Sequence, residues 1–129
     1  MLFCKRSHDP YMGLYNFVGG KVEPGEDGLH AAYREMNEET GITKDDISLT
    51  HMIDFTYLLG GCVVETYVGR LSKEVTLVEE AHPLLWLPLV GEDFFSLSSF
   101  AGEGSIGYMV ELVKYHWKQL FNENRYSSS

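Results

Sequence analysis

Glu35, Glu38 and Glu39 are the residues of this sequence best placed to do chemistry. A helix is expected from about Gly28 to Thr40, with Gly41 closing it as a left-handed cap. With Glu35 set at zero on a helical wheel, Glu38 falls at about 300° and Glu39 at about 40°, so the three carboxylates share one face. Like charges three and four residues apart repel, and such a face carries a cost unless a cation offsets it. Oxygen donors of this kind suit hard divalent cations, Mg²⁺ or Mn²⁺. Leu29, Ala32, Tyr33 and Met36 fill the arc from about 60° to about 160° and are expected to face the core. Ala31 falls among the carboxylates and is small enough to leave room for an ion. Arg34, one turn before Glu38, has a planar fork that can hold a carboxylate in a fixed orientation. An isolated acidic run is more often a solvated helix face, so the helix alone does not decide the matter.

The elements around that helix must hold it in place. Leu2–Lys5 reads as a short strand entering a loop with Pro10 and Gly13, and Tyr15–Val18 as a second strand ended by Gly19-Gly20. A loop with Pro24 and Gly25 leads to the helix. Met52–Leu59 and Cys62–Leu71 are rich in β-branched and aromatic residues, and Gly60-Gly61 between them signals a hairpin. Leu84–Leu87 reads as another strand. Ser105 opens a last helix to about Phe121, with Ile106, Met109, Val110, Val113, Trp117 and Leu120 on its core face. This order predicts an α/β fold, a mixed sheet covered by helices.

The wider pattern gives the glutamates their context. Gly20 is followed after five residues by Glu26, and after seven more by Arg34-Glu35. Met36, Glu38-Glu39, Gly41 and Ile42 complete it. This run resembles the Nudix box with every position filled, Met36 being a mild departure from the usual Leu, Ile or Val. Seven fixed residue types coincide by chance on the order of once in 10⁸ trials. The resemblance implies a Nudix-type α/β/α sandwich around a mixed sheet and hydrolysis of a nucleoside diphosphate linked to another moiety. It also implies Glu38 and Glu39 as principal ligands of Mg²⁺ or Mn²⁺, with Glu35 a further ligand or the general base. The Gly20 carbonyl would complete the shell, Arg34 would orient the glutamates, and Glu26 would pair with Arg34. Relatives often add a glutamate from a loop outside the box, and of Glu79-Glu80, Glu80 is favoured as a further ligand and catalytic residue.

The run Gly13–Glu23 resembles the segment before the box in MutT-type enzymes that cleanse oxidised purine nucleoside triphosphates. By that resemblance Asn16 would hydrogen-bond the purine, its amide offering both donor and acceptor, although an Asn capping a turn is an equal alternative. Lys21 could contact phosphate or simply face solvent. Phe94, Phe95 and Phe100 are read as packing rather than base-stacking, and Glu103 aligns only loosely with a base-reading acid. The expected reaction is metal-dependent hydrolysis of a nucleoside triphosphate, oxidised dGTP foremost, to a monophosphate and pyrophosphate. The alternatives are another nucleoside diphosphate derivative as substrate, or a module that senses nucleotide without turnover. All three glutamates are present, and this favours catalysis. Nudix domains usually carry a strand before the segment matching Leu2–Arg6, so that first strand is expected to be missing. An uncovered edge invites a homodimer.

Composition bounds the rest. The 129 residues suit one domain, expected over residues 1–122 with a short tail at 123–129. The net charge of -9 argues against a nucleic-acid polymer as partner. No apolar run approaches the roughly 20 residues that span a bilayer, and the N-terminus does not read as a signal peptide. Cys4 and Cys62 form no paired framework, which fits a cytoplasmic protein. His8, His30, His51, His82 and His116 show no ligand spacing and are read as surface or structural.

Overall fold

In the computed structural model, which describes residues 1–79 and 82–123, the chain divides into two compact units. Gly19–Val78 forms one; Met1–Val18 and the described residues from Glu79 onward form the other.

The Gly19–Val78 unit is built on helix α1, Gly28–Thr40, and a hairpin of β3, Thr50–Tyr57, and β4, Cys62–Val68. Asp27 caps the helix, its Oδ1 accepting from the His30 amide at 2.8 Å. Gly41 ends it at φ 81°, donating its N–H to the Asn37 carbonyl at 2.9 Å. A Cβ at Gly41 would lie 3.1 Å from Val78 Cγ2, so glycine answers both the left-handed turn and a close approach. Thr40 is fully buried and satisfied: its hydroxyl donates to the Met36 carbonyl at 2.7 Å and accepts from the Ile42 amide at 3.1 Å.

The apolar stripe of α1 differs from the expected one. Met36 and Thr40 are buried, but Leu29 is 40% exposed. Ala32 and Tyr33 are half-buried. Ala31, expected to leave room for an ion, is itself covered, so the carboxylate face is not open along its whole length. In the hairpin, Leu58 and Leu59 leave the strand because the Gly61 N–H closes the turn onto the Tyr57 carbonyl at 2.8 Å. β4 stops at Val68, short of the expected Leu71; at the next residue a Cβ on Gly69 would lie 2.6 Å from the Ser48 carbonyl oxygen. The pairing runs Tyr57 with Cys62 through Ile53 with Thr66 and shifts at a bulge between His51 and Ile53.

In the other unit, β1 (Leu2–Lys5), β2 (Tyr15–Asn16) and β5 (Leu84–Trp86) form a sheet in the order β2-β1-β5. Both pairings are antiparallel, and a parallel bridge from Tyr15 to Phe100 makes the strand directions mixed. β1 therefore has a neighbour on each side. β2 is shorter than expected because the Asn16 side chain accepts from the Phe17 amide at 2.9 Å and takes that donor from the ladder. Phe3 is fully buried, its ring 4.9 Å from Phe17, 5.5 Å from Phe100 and 5.9 Å from Phe94. Phe94 and Phe100 are thus core, as expected. Phe95 is half exposed and lies against Gly107, where a Cβ would come within 2.5 Å of its ring. The C-terminal helix is α2, Ser105–Tyr115, followed after His116 by α3, Trp117–Phe121. His116 adopts φ -97° and ψ 18°, outside helical geometry, which divides the single helix expected from the sequence. Ile106, Met109, Val110, Val113 and Trp117 are buried as their spacing required, while Leu120 is only half-buried. No described helix is long and apolar enough to cross a membrane.

Candidate active site

Helix α1 and the loop before it bring Gly20, Lys21, Glu26, Arg34, Glu35, Glu38 and Glu39 together. Arg34 is the hub. Its Nε and Nη2 donate to both oxygens of Glu26, the shortest contact being 2.7 Å. Its Nη1 donates to Glu35 Oε1 at 2.8 Å and Glu38 Oε2 at 3.2 Å, with Glu23 Oε1 at 3.9 Å. Nη2 also donates to the Lys21 carbonyl at 2.9 Å, so the backbone of Lys21, rather than its exposed side chain, enters the network. Four carboxylates thus surround one guanidinium, a count only the five-donor planar fork of arginine can serve. The site has a positive charge between Glu35 and Glu38, supplied here by Arg34.

The loop backbone closes on the same carboxylates. Gly19 donates its N–H to Glu39 Oε2 at 3.0 Å. A Cβ at Gly20 would collide with the whole Glu35 carboxyl group, which is therefore pressed against bare backbone. The donor set fits a hard divalent cation: carboxylate oxygens on one helix face, a glycine backbone beside one of them, and no nitrogen or sulfur ligand.

Glu26 is held hard. The Arg34 guanidinium beside it, and then the Glu23 amide donating to it at 2.8 Å, bring its carboxyl down to about 2 from the ordinary 4.5. The same pairing pushes Arg34 further up. A carboxylate whose folded value is depressed contributes stability fully present above its unfolded value and lost as pH falls through the folded one. The Glu26–Arg34 contribution is therefore constant above pH 4.5 and disappears between there and about pH 2. Thermal melts of the wild type and Glu26→Gln over that range should show a midpoint difference that shrinks as the acid limb is descended. A difference unchanged down to about pH 2 contradicts this origin.

The remaining sequence candidates lie outside the described residues of this unit. Asn16 belongs to the other compact unit, with its side chain on the Phe17 amide. Glu103 of that unit accepts from the Tyr11 hydroxyl at 3.2 Å. Glu80 lies outside the described residues. Its neighbour Glu79 accepts from the Leu84 amide at 3.0 Å.

One constellation has no counterpart in the sequence reading. Among the described residues, the ligand-type atoms that lie within 4.8 Å of one another as a trio are those of His51, Asp54 and Glu65, all exposed. The box glutamates do not converge in this way, since Arg34 and the Gly19 amide hold them in their separate places. Asp54 and Glu65 are directly opposed across the hairpin, and His51 Nε2 lies 2.6 Å from Asp54 Oδ1. Residues three apart on a regular strand point to opposite faces, so the bulge at His51 is what turns His51 and Asp54 the same way. Counted outward from Gly60-Gly61 as a two-residue turn, Asp54 would face Tyr67; the four-residue turn Leu58–Gly61 puts it opposite Glu65 instead, so neither this register nor the bulge was legible in the sequence.

A family model described as the NUDIX domain matches residues 1–90. The chain is 32% identical over 97 residues to the 8-oxo-dGTP diphosphatase of Escherichia coli (strain K12), spanning 70% of this chain and 71% of that protein. Its fold is similar to a C. elegans Ap4A hydrolase in a binary complex, with TM-score 0.69 and 23% identity over 95% of this chain and 87% of that one. It is also similar to a MutT NUDIX hydrolase from Burkholderia pseudomallei, with TM-score 0.61 and 26% identity over 87% and 86% of the two chains. These likenesses span both compact units and give the architecture of the Nudix α/β/α sandwich. The glutamate face of α1, the arginine lodged in it and the matched domain lead to one conclusion: the chain belongs to the Nudix hydrolase family and is a MutT-like pyrophosphohydrolase.

Proposed function

We propose that the protein hydrolyses a nucleoside triphosphate to the monophosphate and pyrophosphate with Mg²⁺ or Mn²⁺, an oxidised dGTP being the leading substrate. The observation that carries this reading is the single face of α1 on which Glu35, Glu38 and Glu39 meet a glycine backbone and one arginine. Glu38 and Glu39 are assigned as principal cation ligands, with Glu35, the Gly20 carbonyl and Glu80 completing the set. A divalent cation bound there neutralises phosphate oxygens and makes water easier to deprotonate.

The other steps belong to the chain's own groups. Water attacks phosphorus as the P–O–P bridge between the α- and β-phosphates breaks and monophosphate and pyrophosphate separate, and a carboxylate of the set accepts the water's proton; Glu35, half-buried and clamped between Arg34 and Gly20, is held in one orientation for either that task or ligation. Arg34 fixes Glu35 and Glu38, and Glu26 fixes Arg34. Asn16 reads the purine and Lys21 contacts phosphate in this assignment. The preference for an oxidised dGTP is supported by the 8-oxo-dGTP diphosphatase relative. Both cysteines are free thiols, in keeping with a cytoplasmic site of action.

The test is a substrate panel with Mg²⁺ or Mn²⁺: oxidised and normal dGTP, ADP-ribose, nucleotide sugars and a dinucleoside tetraphosphate, with pyrophosphate and phosphate release quantified. Pyrophosphate release favouring oxidised dGTP is expected, and Asn16→Ala should narrow that preference more than it lowers kcat. Preferential cleavage of the dinucleoside tetraphosphate would replace the triphosphate reading. An equal fall of both quantities in Asn16→Ala would make Asn16 structural.

A further inference from the structure

We propose that Glu65 and Tyr67 of β4 are positioning residues for the reaction, setting the seat of α1 through Gly28; this rests on the assignment of the α1 glutamates as the cation site. Gly28 is the first residue of α1. On the helical wheel it falls at about 20°, between Glu35 and Glu39, and roughly 10 Å along the axis from Glu35. The space a Cβ would occupy there is already taken: Tyr67 Oη would lie at 2.5 Å and Glu65 Cδ at 2.7 Å, with Glu65 Oε1 closer still. Real Cβ atoms essentially never show contacts under 3.0 Å, so an alanine at Gly28 would have to displace the Glu65 carboxyl and the Tyr67 hydroxyl or shift the helix.

The two side-chain ends are tethered to each other. The Tyr67 hydroxyl donates to Glu65 Oε1 at 3.0 Å. Burial, and then that hydrogen bond, push its pKa up to about 12, so it stays a donor. The Tyr67 ring is stacked on His51 at 4.6 Å, and His51 is held by Asp54 at 2.6 Å. The hairpin thereby presses on the same helix face that carries the glutamates, at its N-terminal end. Further along, that face meets Gly20 at Glu35 and the Gly19 amide at Glu39. A rigid helix seated at its first turn and met again two turns later has its carboxylates placed against the loop by both contacts. Displacing the first by a methyl group tilts the glutamates relative to Gly19-Gly20, and a misplacement of about 1 Å is enough to cost activity heavily.

A size swap tests this on the full chain, with Mn²⁺ alone as the probe in calorimetric titrations and thermal melts recorded without metal. Gly28→Ala should weaken Mn²⁺ binding about tenfold. Its melting temperature should fall by less than the clash alone would cost, because alanine favours helix over glycine. Glu65→Ala, which removes one of the two side chains beside Gly28, should weaken binding less. Combining Gly28→Ala with Glu65→Ala and Tyr67→Phe removes both groups that the methyl would meet, and this combined variant should bind more tightly than Gly28→Ala. Glu38→Gln serves as the control. Loss of binding in Glu38→Gln together with wild-type binding in Gly28→Ala, or a combined variant no better than Gly28→Ala, overturns the positioning role alone. Wild-type binding in Glu38→Gln overturns the cation assignment and the positioning role together.

Discussion

Glu38→Gln and Glu39→Gln each lower kcat by about two to four orders of magnitude while the folded structure persists. Glutamine keeps the shape and one carbonyl oxygen of the side chain it replaces. That oxygen can still accept from Arg34 Nη1, now 3.2 Å from Glu38, or from the Gly19 amide, now 3.0 Å from Glu39. What disappears is the negative charge, which is what a divalent cation needs. The substitutions also relieve repulsion between neighbours on one helix face, so the metal-free protein should melt no earlier than wild type. The wild type should gain melting temperature on adding Mg²⁺, because a ligand that binds only the folded state stabilises it. Both variants should lose most of that gain. Steady-state kinetics on the preferred substrate and paired melts with and without Mg²⁺ measure the two quantities. Undiminished turnover in either variant removes that glutamate from the cation site.

These predictions could be written from the sequence because the face is a local property. Glu35, Glu38 and Glu39 are neighbours by helical spacing alone, and Asp27 and Gly41 mark the ends of α1 by their own chemistry. The burial of that helix was less legible. A wheel assigns Leu29 to the core, yet at the first turn the surrounding chain leaves it 40% exposed and covers Ala31 instead. Periodicity shows which residues share a side, and only the tertiary contacts show what lies over it.

The hairpin makes the same division. Gly60-Gly61 located it, but the hydrogen bond from Gly61 to Tyr57 decided that Leu58 and Leu59 are loop. The bulge that gathers His51, Asp54 and Glu65 has no residue signature, so a strand of regular alternation places His51 and Asp54 on opposite faces. Gly28 read simply as the start of a helix. That it is also the point where β4 meets α1 depends on residues nearly forty positions away, and no spacing rule reaches so far. Arg34 lies between: its turn on the helix places it beside Glu38, whereas its grip on Glu26 joins a loop to the helix.

Arg34→Ala should have the broadest effect of any single substitution, lowering both activity and stability. Its guanidinium lies among Glu23, Glu26, Glu35 and Glu38 and, among the described residues, is the side-chain cation paired with them. Without it four carboxylates face one another, Glu35 and Glu38 lose the donor that aims them, and the Lys21 carbonyl loses its partner. The melting temperature should therefore fall without metal. Saturating Mg²⁺ should raise it by more than it raises the wild type, since the cation then meets uncompensated charge. Arg34→Lys separates charge from geometry. A lysine restores one positive charge but cannot present parallel donors to Glu26 while also reaching Glu35 and Glu38. It should recover much of the stability and little of the kcat. Full recovery of kcat in Arg34→Lys would mean that charge alone matters at this position, and that the orientation of Glu35 is set by its close packing on Gly20 instead.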